Sequence, residues 1–214
     1  MNKILYNDLI ELAKKHIKND DPSHDVYHAL RVLKTVELIS RKESGDLDVL
    51  VPAALFHDVI NYPKNSLQSS YSADESAIFT KNLLSGLKDY SSETILKVEY
   101  CIRCCSFSKG IVPDLLEAKI LQDADMLEST GAISIMRTFS SAGQYGKPFY
   151  DESDPFCDDR KPDASLYALD LCYSRLLKVN ERMYTKTAKL MAEKRKLFLE
   201  DFLSELRGEI SLDF

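Results

Sequence analysis

The side chains able to do chemistry gather in two stretches far apart in the chain. All four histidines, His16, His24, His28 and His57, lie in the first 57 residues, and Asp58 follows His57 directly. That pair ends a nearly all-apolar run, so an imidazole and a carboxylate emerge at the edge of a buried element. Polar groups there cost desolvation energy unless they are paired or bind a metal. For the dipeptide alone, a capping Asp58 and a packed His57 is the plainer reading. His24 and His28 are four residues apart, which puts them on one face of a helix and nominates both as metal ligands. A solvated His24 and a packed His28 fits that spacing equally well. The second stretch, Leu121-Gln122-Asp123-Ala124-Asp125-Met126-Leu127, sets two acids in an apolar helical run, where acids are uncommon without a cation. Two residues apart, Asp123 and Asp125 point to different faces.

A phosphate-handling site needs cations as well. Arg31 lies three residues after His28 on the same helical face, Lys64 follows the His-Asp pair in a loop, and Arg137 and Lys147 bracket a later loop. Arginine is the better bidentate partner for phosphate. A surface charge is the competing reading for each, and the stronger one for the two lysines. Cys101, Cys104 and Cys105 crowd together but lack the second cysteine pair of a zinc site, which leaves them as buried structural residues. No GxxxxGK[ST] and no GxGxxG pattern occurs, so a nucleotide would be held by metal, basic side chains and a helical pocket.

The elements that position these residues read as helices. Leu5, Leu9 and Leu12 mark a first helix to about Ile17, and the turn Asn19-Asp20-Asp21-Pro22-Ser23 ends it. Ser23 suits the N-cap of the second helix, which carries Val26, Leu30, Leu33 and Val36, and Gly45 suits its C-terminal cap. Val49 to His57 is read as a buried helix, with Pro52 acceptable only in its first turn. After a polar loop over 61–70, helices follow from Ala73 to a stop at Gly86, from a Ser91 cap to Cys105, from Pro113 or Asp114 to Leu127, and from Ala132 to a stop at Gly143. The irregular stretch 143–162 has the length of a functional loop. Two helices, about 164–179 and 181–206, close the chain.

With 7 Gly and 7 Pro in 214 residues, few tight turns are available, which favours helices over a sandwich of short strands. The net charge of −6 argues against a general nucleic-acid surface, while leaving room for a small anionic substrate. No run reaches the roughly 20 apolar residues needed to span a bilayer. Charges at Asp8, Glu11 and Lys14 come too early for a secretory signal, and an odd set of five cysteines suits a reducing cytoplasm.

Taken in order, His28, then AALFHD ending in His57-Asp58, then DADML with Asp125, the chain resembles the HD-domain superfamily of metal-dependent phosphohydrolases, in its compact single-domain bacterial branch. HDVYHALRV and EAKILQDADMLESTGAISIMRTF carry the likeness across about residues 20–150. The resemblance implies an all-α, HD-domain-like bundle of about eight or nine helices, one domain with its core over about 20–150 and the helices of 164–206 packed on it. It implies metal ligands His28, His57, Asp58 and Asp125. The Ala-Asp-x-Leu context selects Asp125 over Asp123, and the family order selects His28 over His24, which joins Arg31, Lys64, Arg137 and Lys147 as substrate-binding candidates. The implied activity is hydrolysis of a phosphate ester or anhydride, with nucleotides among the candidate substrates, at one divalent cation (Mn²⁺, Mg²⁺, Co²⁺, Ni²⁺, Fe²⁺ or Zn²⁺). The cation would acidify an attacking water that Asp58 orients or deprotonates, and Asp123 or Glu128 would fix a ligating imidazole. Several relatives carry His-Ser-Phe-Ser where this chain has Cys105-Ser-Phe-Ser. That lowers the expectation of a second metal, and with it the alternative of oxygenase chemistry on the same scaffold. A non-catalytic regulatory module that binds metal or nucleotide is the remaining alternative.

Overall fold

A computed structural model describes residues 2–18, 21, 23–63, 66–106 and 109–211. The described residues form nine α-helices and no strand, as an all-α reading requires. They fall into two compact units, Met1–Asp125 and Met126–Phe214. Among the described residues, no helix is long and apolar enough to cross a membrane.

The first unit is built around one buried helix, Leu47–Phe56. Its helices are α1 (Lys3–His16), α2 (Val26–Glu43), α3 (Leu47–Phe56), α4 (Ser72–Ser85), α5 (Ser92–Cys105) and α6 (Leu116–Met126), the last running to the unit's end. α3 packs against α1, α2, α4 and α5, and every residue from Val49 to Phe56 is buried. A helix covered on all sides has no polar face, which is why its sequence is apolar throughout. Asp46 caps α3 by accepting from the Asp48 N–H, so the helix starts at Leu47, ahead of the expected Val49. Pro52 is therefore in its interior, not in its first turn, and withholds one backbone donor from the ladder.

Two more expected helix ends shift for similar reasons. The N-cap of α2 is Asp25, not Ser23: its carboxylate accepts from the His28 N–H at 2.8 Å. The left-handed residue closing α2 is Ser44 (φ 63°), one before Gly45. Gly45 is needed for room: a Cβ there would lie 2.6 Å from Ile120 Cδ1 and 2.8 Å from Leu50 Cδ1. Ser91 caps α5 and Gly86 closes α4, as expected.

The second unit contains α7 (Gly131–Gln144), α8 (Asp170–Ser174) and α9 (Lys186–Ser211). Phe156, Leu169, Cys172, Leu176, Leu199 and Leu203 form its core. α7 runs through Gly143, and the left-handed residue that ends it is Gly146 (φ 60°), with Lys147 N–H returning to Ala142 O at 2.9 Å. The expected helix over 164–179 does not form. Only Asp170–Ser174 is α-helical, because Arg175 (φ −139°, ψ −53°) leaves the helical region and a 3₁₀ stretch, Leu176–Arg182, follows. Asp170 instead anchors the long loop before it. Buried completely, it accepts from both Arg160 guanidinium nitrogens, at 2.5 and 2.8 Å, and from the Asp163 N–H at 2.6 Å.

Candidate metal centre

Three helix ends of the first unit bring donor atoms to one point. His28 is the third residue of α2, 1% exposed, its backbone fixed by the Asp25 cap. His57 follows the last residue of α3, and its Nδ1 donates to the Ala54 carbonyl at 2.8 Å. That bond serves a carbonyl left open at the helix end and fixes the tautomer, so the lone pair of the neutral ring is on Nε2. Asp125 rides the last turn of α6. His28 Nε2 is 3.2 Å from His57 Nε2, and Asp125 Oδ1 is 3.4 Å from the first and 3.7 Å from the second.

These separations suit a bound cation. Ligands about 2.1 Å from an ion are about 3.0 Å apart as octahedral neighbours and about 3.4 Å apart in a tetrahedron. Two imidazole lone pairs facing each other at 3.2 Å repel unless a proton or a cation lies between them. Burial alone would lower the His57 pKa, but the hydrogen bond and charge of Asp125, with the Asp58 charge behind it, push it up to about 9.

Asp58 and His24 adjoin this cluster. His24 Nδ1 is hydrogen-bonded to Asp58 Oδ2. Donor atoms of His24, His28 and Asp58 lie within 4.8 Å of one another, and so do those of His28, His57 and Asp125, so His28 is common to both groups. Burial works against the Asp58 carboxylate, yet the His24 hydrogen bond and the surrounding imidazoles hold its pKa below the usual value. His24 Nε2 is buried and has no hydrogen-bond partner among the described residues. The two-imidazole, two-carboxylate donor set, with that unmatched nitrogen beside it, fits a divalent ion.

His24 is not on α2, as its spacing from His28 suggested; it lies in the preceding turn because Asp25 takes the cap. Its partnership with Asp58 was missed, and no spacing rule reports a contact across 34 residues. His16 stands apart, edge-on to the Phe79 ring at 5.1 Å. Arg31 is half-buried on α2. Lys64 lies outside the described residues. Arg137 and Lys147 belong to the second unit, where Arg137 is half-buried on α7 and Lys147 Nζ donates to Ala164 O at 2.6 Å. Asp123 is fully buried, and Glu128 is nearly so, with its charge acting on Arg195. Cys105 is buried at the end of α5, its thiol pushed well up by burial and by the charges of Asp125 and Asp58, so it stays protonated.

The HD-domain family matches residues 25–130, a span that includes His28, His57, Asp58 and Asp125. The chain belongs to the HD-domain superfamily. Its curated relative YpgQ of Bacillus subtilis is 28% identical over 198 residues, 91% of this chain and 88% of YpgQ. Among solved structures, the Lin1889 protein from Listeria innocua is 29% identical with a TM-score of 0.75, covering 99% of this chain and 98% of the other. An HD-superfamily hydrolase from Bacillus thuringiensis is 29% identical with a TM-score of 0.73, covering 97% of each. YpgQ in complex with ADP is 26% identical with a TM-score of 0.73, covering 95% of this chain and 94% of YpgQ.

Proposed function

We propose that this HD-superfamily chain is a metal-dependent phosphohydrolase in which His28, His57, Asp58 and Asp125 hold one divalent cation. The observation that carries this reading is the meeting of two Nε2 atoms and a carboxylate oxygen within 3.2–3.7 Å of one another. A divalent ion bound there supplies an acidified water and charge neutralisation for phosphoryl oxygens. The chain's own residues do the rest. Ala54 O keeps the His57 tautomer in which Nε2 faces inward. In this reading Asp58, held as a carboxylate by the His24 hydrogen bond, orients the attacking water and takes its proton. Arg31, on the helix that carries His28, is the side chain assigned to a phosphoryl oxygen. The complex of YpgQ with ADP supports a nucleotide as the phosphorylated substrate.

The test is release of phosphate or pyrophosphate from nucleotides and phosphate esters, with Mn²⁺, Mg²⁺, Co²⁺ and Ni²⁺ supplied separately. Asp58→Ala should abolish metal-dependent turnover while far-ultraviolet circular dichroism stays helical. Turnover persisting at the wild-type rate in that variant would remove Asp58 from the mechanism. Arg31→Ala should mainly raise KM, and an unchanged KM would return Arg31 to the role of a surface charge.

A further inference from the structure

The proposed function uses His24 only to keep Asp58 ionised, although its ring bonds that residue directly. Its ring sits in the turn before α2, held by the His24 N–H to Asp21 O bond at 3.0 Å, while Ser23 N–H donates to the Asp21 carboxylate at 2.8 Å. Both bonds set the turn before Asp25 starts the helix. The ring packs edge-on against His28, centroids 5.6 Å apart at 70°, and His28 packs similarly against His57 at 5.2 Å and 61°. Three imidazoles thus brace one another in a row, and the outermost binds Asp58 through Nδ1.

The chemistry of that bond assigns direction. A carboxylate only accepts, so the shared proton is on His24 Nδ1, and Asp58 Oδ2 is committed to it. Oδ1 is then the oxygen with both lone pairs open, hence the better donor to a cation. We infer that His24 is a positioning residue: its Nδ1–H anchors Asp58 through Oδ2, so that the carboxylate meets the divalent ion through the other, preset oxygen. The usual relation, a carboxylate orienting a ligating histidine, is inverted here. Partners that orient metal ligands typically change metal affinity about 10- to 100-fold when removed. This inference rests on the proposed metal centre and adds a residue to it.

Two isosteric substitutions separate the ring nitrogens. Asparagine places an amide N–H close to the position of Nδ1, whereas glutamine reaches toward that of Nε2. The measurement is calorimetric titration of the whole chain with Mn²⁺ alone, with no nucleotide present, alongside thermal unfolding of each metal-free variant. His24→Ala should weaken Mn²⁺ binding about 10- to 100-fold. His24→Asn should return to within about threefold of wild type, and His24→Gln should remain as weak as the alanine variant. Wild-type affinity in His24→Ala overturns the inference, and so does rescue by glutamine in place of asparagine, which would make Nε2 the working atom. A wild-type chain that binds no Mn²⁺ overturns the metal centre itself, a result distinct from either. The Asn–Gln comparison decides even where the alanine variant folds poorly.

Discussion

Each unit of this protein has its own cluster of charged and polar side chains, and the two clusters solve the burial problem in opposite ways. In the second unit, Asp170 is fully buried, yet every demand it makes is met within the chain: two guanidinium bonds from Arg160 and one from the Asp163 N–H. Asp154 nearby accepts from three successive backbone N–H groups, those of Asp158, Asp159 and Arg160. In the first unit, His28 and His57 present nitrogens to each other and to Asp125 at 3.2–3.7 Å, and a cation among them would meet all three. A charge cluster satisfied from within holds a loop in shape. One whose donor atoms converge on a common point marks a place where a ligand goes.

The comparison is sharpest in paired substitutions. Asp170→Asn leaves Arg160 facing a neutral amide and should destabilise the second unit by about 3 kcal/mol, toward the low end for a broken buried pair because Arg160 is 23% exposed. Asp125→Asn should change stability by no more than about 1 kcal/mol, since its side chain is 33% exposed, while removing Mn²⁺ binding. Urea unfolding with and without Mn²⁺ measures both. Equal stability losses in the two variants would erase the distinction between the clusters.

Next in size is a packing effect in the first unit. Gly45→Ala would push a methyl against Ile120 and Leu50 and should cost about 1–3 kcal/mol, read as a lower urea midpoint with an unchanged slope. A neutral result would mean those two side chains move aside freely.

The pH dependence is a further way to break the comparison. Because folding raises the His57 pKa from 6.5 to about 9, its contribution to metal-free stability is complete below about pH 6.5 and is lost as pH rises through about 9. Mn²⁺ must displace that proton, so metal affinity should rise over the same interval. Asp58 behaves oppositely: its depressed pKa adds stability above the usual carboxylate range, lost as pH falls below it. A urea midpoint for the metal-free protein that is the same at pH 6 and pH 9.5 would show that no proton is held at His57.

How much of this was legible in the sequence varies with the range of the interactions involved. Ser91 capping α5 and the unbroken apolar run of α3 were readable because the information lies within a few residues. The choice between Ser23 and Asp25 as cap was not, since both can accept, and the position of His28 decides it. Gly45 was assigned a conformational role, whereas its need arises from Ile120, distant in sequence. The helix expected over 164–179 failed because the buried Asp170 recruits Arg160 and Asp163 to a loop, a tertiary demand that overrides apolar spacing. At the candidate centre the ordered motif named His28, His57 and Asp125, whose donor atoms lie 3.2–3.7 Å apart, yet it was silent on the His24–Asp58 bond, which joins a turn to a helix end.

The account stands on one point in space shared by His28, His57 and Asp125. Crystals soaked in Mn²⁺ and measured at the manganese absorption edge test it directly. The predicted result is a single anomalous peak about 2.0–2.3 Å from His28 Nε2, His57 Nε2 and Asp125 Oδ1, with an Asp58 oxygen in the same sphere. A map without a peak there, with manganese bound only elsewhere on the chain, would contradict it.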